Sequence, residues 1–270
     1  MGMRSSQSGI ALIAVLWTLT LLSLIGITLA WESHTGSQIA RNVVESARAR
    51  AAADAGIDRE ILDLSTAPDR LEAFRTDGTT YVWAFADCTV YISIRDEASK
   101  IDLNKAPPPL LAALFVSIGV SPEKSQSLAD AIADFRDPDD MRRPSGAEAS
   151  DYRDAGLAWG PKNAPFEVIE ELQEVIGMRP NIYEKVAPDL SVYSVTSTVP
   201  VTADERLSGI VRRAGFIPQP PTASPHQAFS IRAEAKSANG ATFVRTAIVQ
   251  LKVRQGNVEL GPLMLSWSRG

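Results

Sequence analysis

The sequence predicts an α+β protein in which a long amino-terminal helix carries an antiparallel sheet, with an all-helical domain inserted between the strands. An uncharged run opens the chain and passes without proline into a helix-patterned stretch. Strand-patterned pairs then lie on either side of a long helix-patterned block.

The uncharged run, Ile10 to Trp31, reads IALIAVLWTLTLLSLIGITLAW and would reach about 33 Å as a helix, enough to cross a bilayer. Arg4 lies on one side and Glu32 on the other, which orients residues 1–9 toward the cytoplasm. A cleaved secretory signal, a plain anchor and a prepilin-type anchor compete for this segment. Thr28-Leu29-Ala30 offers a weak secretory cleavage site. However, a polar leader ends in Ser8-Gly9 immediately before the apolar run, and that arrangement resembles the prepilin signal.

Residues 32–66 continue in helical pattern, with Ile39, Val43, Ala47, Ala51, Ile57, Ile61 and Leu64 proposed as the apolar face. Anchor and continuation together make one rod of about 55 residues and roughly 80 Å. Pro68 to Gly78 marks its exit. Residues 67–100 and 226–270 supply the sheet. Residues 79–85 and 88–94 pair across Ala86-Asp87, and residues 228–235 and 242–253 alternate around Asn239-Gly240 as a hairpin. Residues 101–217 form the insert, with helices expected over Pro109–Gly119, Pro122–Arg136 and Phe166–Ile176. The Pro-rich stretch 218–225 links it back to the sheet.

Composition narrows function. Of 270 residues 45% are hydrophobic and 22% charged, and the formal net charge of −5 disfavours nucleic acid as a partner. Cys88 is the single cysteine, so no internal disulfide forms, and it reads as a small strand residue. His34 and His226 lie far apart, which leaves no Cys- or His-based zinc site. No nucleotide-binding loop, zinc-protease or nucleophile-elbow motif occurs, and no catalytic residue is expected. From Asp134 to Asp154 the chain concentrates carboxylates around DPDDMRRPSGAEASDY. Hard oxygens without competing sulfur or imidazole suit calcium, although the regular EF-hand order is missing and an acidic loop offset by Arg136, Arg142, Arg143 and Arg153 is the alternative.

Several stretches together resemble one family. They are the run Ser8 to Trp17, Ala40-Arg41-Asn42, residues 47–56, residues 96–106, residues 134–140, Gly146-Ala147-Glu148, Tyr152, residues 160–166, Glu170-Glu171-Leu172 and Val192-Tyr193-Ser194. The chain resembles protein K of type II secretion systems, a minor pseudopilin with a pilin-like fold and an inserted domain like SAM or helix-hairpin-helix units. The resemblance implies cleavage by prepilin peptidase between Gly9 and Ile10, methylation of Ile10, and a single-pass anchor in the bacterial inner membrane with the carboxyl-terminal domain periplasmic. It implies minor pseudopilins I and J and other secretion components as partners, and a place at the pseudopilus tip.

Most pilins and pseudopilins carry a glutamate where this chain has Ala14, the fifth residue after the proposed cut. A tip subunit has no neighbour ahead to pair that charge, which would cost on the order of 2–3 kcal/mol unpaired in lipid. The family also implies one or two calcium ions, with Asp137, Asp139, Asp140, Glu148 and Asp151 as the expected ligands. The alternative is a membrane-anchored helix-hairpin-helix protein of DNA uptake, suggested by Ile101–Ala106 with Leu114–Gly119 and by Glu171–Gly177.

Overall fold

A computed structural model describes residues 8–66, 76–194, 204–217, 226–252 and 261–269. The leader through residue 7, the Pro-rich stretch 218–225 and most of the expected exit at 68–78 lie outside the described residues.

Helix α1, Ser8–Thr66, is unbroken over 59 residues, about 88 Å at the standard rise. No proline interrupts it, and Thr18, Thr20 and Thr28 return their hydroxyls to the carbonyls of Val15, Trp17 and Ile25, so their polarity is satisfied within the helix. Ala11–Leu29 is long and apolar enough to cross a membrane, and none of it is buried against the rest of the chain.

Only the second half of α1 docks on the sheet. The face that does so is Ala49, Ala52, Ala53, Gly56, Ile57, Glu60 and Leu64. This corrects the face expected from the sequence: Ile57 and Leu64 are buried, but Ile39 and Val43 are 59% and 63% exposed and Ala47 and Ala51 also face outward. Small residues win the docking face because the helix approaches closely. A Cβ at Gly56 would stand 3.1 Å from Val90 Cγ1 and 3.3 Å from Ala233 Cβ.

The sheet has five antiparallel strands in the order β1 (Asp77–Phe85), β2 (Cys88–Asp96), β5 (His226–Ser237), β6 (Thr242–Lys252), β7 (Leu263–Arg269). The β1–β2 turn holds Ala86 at φ 49°, and the β5–β6 turn places Gly240 at φ 87°, where glycine is free of strain. Val90, Ile92, Ile94, Ile231, Ala233, Ala247 and Val249 cover α1, alternating along each strand as one buried face requires.

Between β2 and β5 the chain leaves the sheet. Two short strands, β3 (Ile101–Asp102) and β4 (Leu190–Ser191), pair in parallel within the excursion and set Ile101 beside Leu190, before α6 follows β4. Above them lie α2 (Pro108–Ser117), α3 (Pro122–Arg136), α4 (Ala149–Asp154), α5 (Pro180–Val186) and α6 (Glu205–Arg213), around a second core that includes Leu111, Leu114, Phe115, Leu128, Ile132, Phe135, Tyr152 and Leu207. The helix expected over Phe166–Ile176 is reduced to a 3-10 segment, Ile169–Glu174. The Asn104 side chain holds the Phe166 backbone at both ends, donating to its carbonyl at 2.9 Å and accepting from its N–H at 2.7 Å, and this keeps the approach extended. The helices α4, α5 and α6 and the strand β7 were not singled out from the sequence.

Candidate functional site

Two regions carry the expected functional residues: the bare part of α1 and the acidic loop after α3. Gly9 and Ile10 lie in the first turn of α1. Ala14 sits one turn further on the exposed apolar surface, so the helix offers no carboxylate at that level.

The acidic loop is built outward from Asp134, a fully buried residue in the last turn of α3. Its carboxylate accepts from the Arg143 backbone N–H at 3.2 Å and from Arg143 Nη1 at 2.6 Å, and the same Nη1 reaches Asp137 Oδ2 at 2.5 Å. A Cβ at Gly146 would collide with the Asp134 carboxylate, which explains the glycine of Gly146-Ala147-Glu148. Asp130 Oδ2 accepts from the Ser145 N–H at 3.3 Å, and Arg142 Nε donates to the Gly146 carbonyl at 2.9 Å. The loop is therefore folded around its own arginines.

Of the expected ligands, Glu148 and Asp137 have oxygens in need of partners. Both Glu148 carboxylate oxygens and Asp137 Oδ1 are buried with no hydrogen-bond partner among the described residues. Burial, together with the charges of Asp134, Asp137, Asp140 and Asp139, pushes the Glu148 carboxyl up to about 7. Asp139 Oδ1 caps the Met141 N–H at 2.9 Å, and Asp140 Oδ1 accepts from Asn163 Nδ2 at 3.1 Å. Asp151 is already engaged on both oxygens, by the Glu148 N–H at 2.9 Å and by Arg142 Nη1 at 3.4 Å.

Among the described residues no three His, Cys, Asp or Glu side chains stand close enough to form a ready-made metal cage. The oxygen-only donor set fits a hard cation in chemistry, and the orphaned oxygens give it an attachment point. Sequence reasoning missed Asn163. Its Oδ1 is buried without a hydrogen-bond partner among the described residues, its N–H donates to the Phe135 carbonyl at 2.9 Å, and its backbone has φ 50°. Asparagine is enriched in that left-handed region, and its place between Gly160-Pro161 and Pro165 was the available signal.

A long helix that is bare for its first half and docked on an antiparallel sheet for its second, with a helical insert between the strands, is a pilin-like fold, and among the described residues one helix is long and apolar enough to cross a membrane. Residues 93–195 match the family model described as type II secretion system (T2SS), protein K. A putative type II secretion system protein K of Escherichia coli (strain K12) is 26% identical over 214 residues, which cover 72% of this chain and 65% of that protein, slightly less than two thirds of its length. The solved structure of the GspK-GspI-GspJ complex from the enterotoxigenic Escherichia coli type 2 secretion system contains a chain of the same fold. It has a TM-score of 0.55 at 17% identity and covers 88% of this chain and 99% of that one. Residues 93–195 thus carry a stretch similar to type II secretion system protein K, and the chain shares the fold of the GspK-GspI-GspJ match.

Proposed function

We propose that the protein is a minor pseudopilin that helps assemble the pseudopilus of a type II secretion system and caps its tip, so that folded proteins can be exported. In this reading prepilin peptidase removes residues 1–9, Ile10 becomes the methylated amino terminus, and the helix stays in the inner membrane with the head in the periplasm. Assembly, not catalysis, is the activity.

One observation carries the reading: α1 leaves two apolar surfaces without intramolecular cover. Ala11–Leu29 is suited to lipid, whereas Ile39 and Val43, at 59% and 63% exposure on the water-facing half, are suited to the helices of neighbouring subunits. The solved relative was captured with GspI and GspJ, which supports partners of the same kind here. The breadth of the insert and the neutral Ala14 support a terminal position, since the one obstructs a subunit above and the other needs no charge ahead.

The full-length chain should co-purify with the I and J pseudopilins of its own host. The double variant Ile39→Asp, Val43→Asp should lose them while keeping its circular dichroism. Amino-terminal analysis of the mature protein should return methylated Ile10; Trp31 or Met1 would instead support a secretory or an uncleaved segment. Ala14→Glu should impair fibre initiation, and normal secretion by that variant would remove the charge argument.

We further propose that one or two calcium ions bind the acidic loop through Asp137 and Glu148, with Asn163, Asp139 and Asp140 completing the ligand set and Asp151 holding Glu148 in place. The partnerless oxygens support this. Excess calcium should raise the melting temperature of the wild type and leave Glu148→Gln unmoved; equal midpoints with calcium and with chelator would overturn it.

A further inference from the structure

The helical insert repeats a short pattern at two turns. Ile118-Gly119-Val120-Ser121-Pro122 joins α2 to α3, and Ile176-Gly177-Met178-Arg179-Pro180 leads into α5. Gly119 and Gly177 share the left-handed conformation, at φ 91° and 81°, and each proline then opens a helix.

The two turns border one cavity of about 300 Å³. Ile118, Val120 and Ile182 give it an apolar wall, while Lys124, Arg179 and Lys185 give it a cationic one, and no acidic side chain lines it. Lys124 reaches from the first turn to the second: a Cβ at Gly177 would collide with its ammonium group. None of the three cationic side chains makes an ion pair or hydrogen bond among the described residues, although the chain as a whole carries a net charge of −5. Three uncompensated cations on one concave surface of an acidic protein form a local field that attracts an anion.

We propose that this cavity docks an acidic peptide segment of a partner protein, a carboxylate meeting Lys124, Arg179 and Lys185 while a neighbouring aliphatic side chain covers the apolar wall. The aliphatic half favours peptide over phosphate, which would gain nothing from Ile118, Val120 and Ile182. The confinement of the cations to one small cavity argues against a nucleic acid, whose backbone calls for an extended basic track. The volume stands at the lower end for ligand cavities and suits one or two anchoring side chains.

The test is fluorescence anisotropy on the full-length chain in detergent micelles, with a labelled peptide of mixed leucine and glutamate as probe. Its glutamine analogue should bind roughly tenfold more weakly, a loss near 1.4 kcal/mol. Lys124→Gln, Arg179→Gln and Lys185→Gln should each weaken binding about threefold and jointly abolish it, with unchanged circular dichroism, whereas Arg212→Gln outside the cavity should have no effect. Equal binding of the two peptides, or an unaffected triple variant, would overturn the proposal. Tighter binding of an oligonucleotide or of inorganic phosphate through the same three residues would overturn it in favour of a phosphate site.

Discussion

Arg245 of β6 reaches back to Asp54 of α1, Nε to Oδ1 at 2.6 Å, while its guanidinium lies 5.0 Å from the Phe243 ring centre and 4.9 Å from that of Trp267. One side chain, on the helix-facing side of β6 with Ala247 and Val249, thus ties α1 to β6 and contacts Trp267 of β7. The pair is partly desolvated, Arg245 being 7% exposed at its side chain and Asp54 29%.

Removing either partner should loosen this junction. Arg245→Ala should cost about 2–3 kcal/mol, because it ends a charge-assisted bond and two ring contacts together, and Asp54→Asn about 1 kcal/mol. Denaturant unfolding of both variants and the double variant would give the coupling; purely additive losses would show that the two residues act separately.

Gly56 sets how closely helix and sheet approach. Gly56→Leu should force α1 away from Val90, Ile92 and Ala233, with a loss on the order of 3 kcal/mol or more, since the opposing atoms belong to packed side chains and strands. Gly56→Ala should cost less, because the contacts near 3.1–3.3 Å call for shifts of a few tenths of an ångström and helix propensity offsets part of the loss. Thermal unfolding of the two variants against wild type would rank them.

Glu60 is fully buried in the α1–sheet contact, and among the described residues neither carboxylate oxygen has a hydrogen-bond partner, the Arg59 guanidinium standing 3.9 Å from Oε1. Burial pushes its carboxyl above the usual range, with Asp63 adding to the effect and Tyr81 and Arg59 opposing it. A group whose folded pKa is raised stabilises the fold fully below its unfolded pKa, and that contribution is lost as pH rises through the folded value. Wild type should therefore gain stability as pH falls from neutral toward the carboxylate range. Glu60→Gln should be more stable at neutral pH, by on the order of 1 kcal/mol, and should flatten the slope. A pH series of melting curves would check both effects, and parallel curves for the two proteins would contradict them.

Asn104 governs the path of the chain near Phe166. Asn104→Ala removes an acceptor and a donor from a half-buried site, and should cost about 2 kcal/mol and loosen the stacking of Phe166 on Phe135, whose ring centres lie 4.9 Å apart. Hydrogen exchange at the Phe166 amide should rise well before global unfolding.

Much of the architecture was legible because it is periodic. The long helix announces itself by an uncharged run followed by Ala, Arg and Glu without proline, the first strand pair by strand-forming runs on either side of Ala86-Asp87, and the second by alternation around Asn239-Gly240. Legibility fails where small residues or distant bonds decide. The docking face of α1 relies on Ala49, Ala52, Ala53 and Gly56, which carry little hydropathy signal, so Ile39 and Val43 attract the eye although they face outward. β7 contributes Leu263 to Arg269 as an exposed edge strand, where alternation fades. It pairs with β6 and sets Trp267 against Arg245, a contact with no local trace in the chain. In the acidic loop, composition showed the cluster of carboxylates but could not reveal that Arg143 binds Asp134 and Asp137, or that Asn163 arrives from a later turn to meet Asp140.

The strands that flank the excursion, β2 and β5, are immediate neighbours, and Asp96 faces Phe229 across the ladder. Those two positions sit about 5 Å apart, a gap that a handful of residues can close. The five-stranded scaffold would therefore remain topologically complete as a plain meander without its guest, and such a guest can be acquired, enlarged or exchanged over evolutionary time while the host keeps every strand pairing.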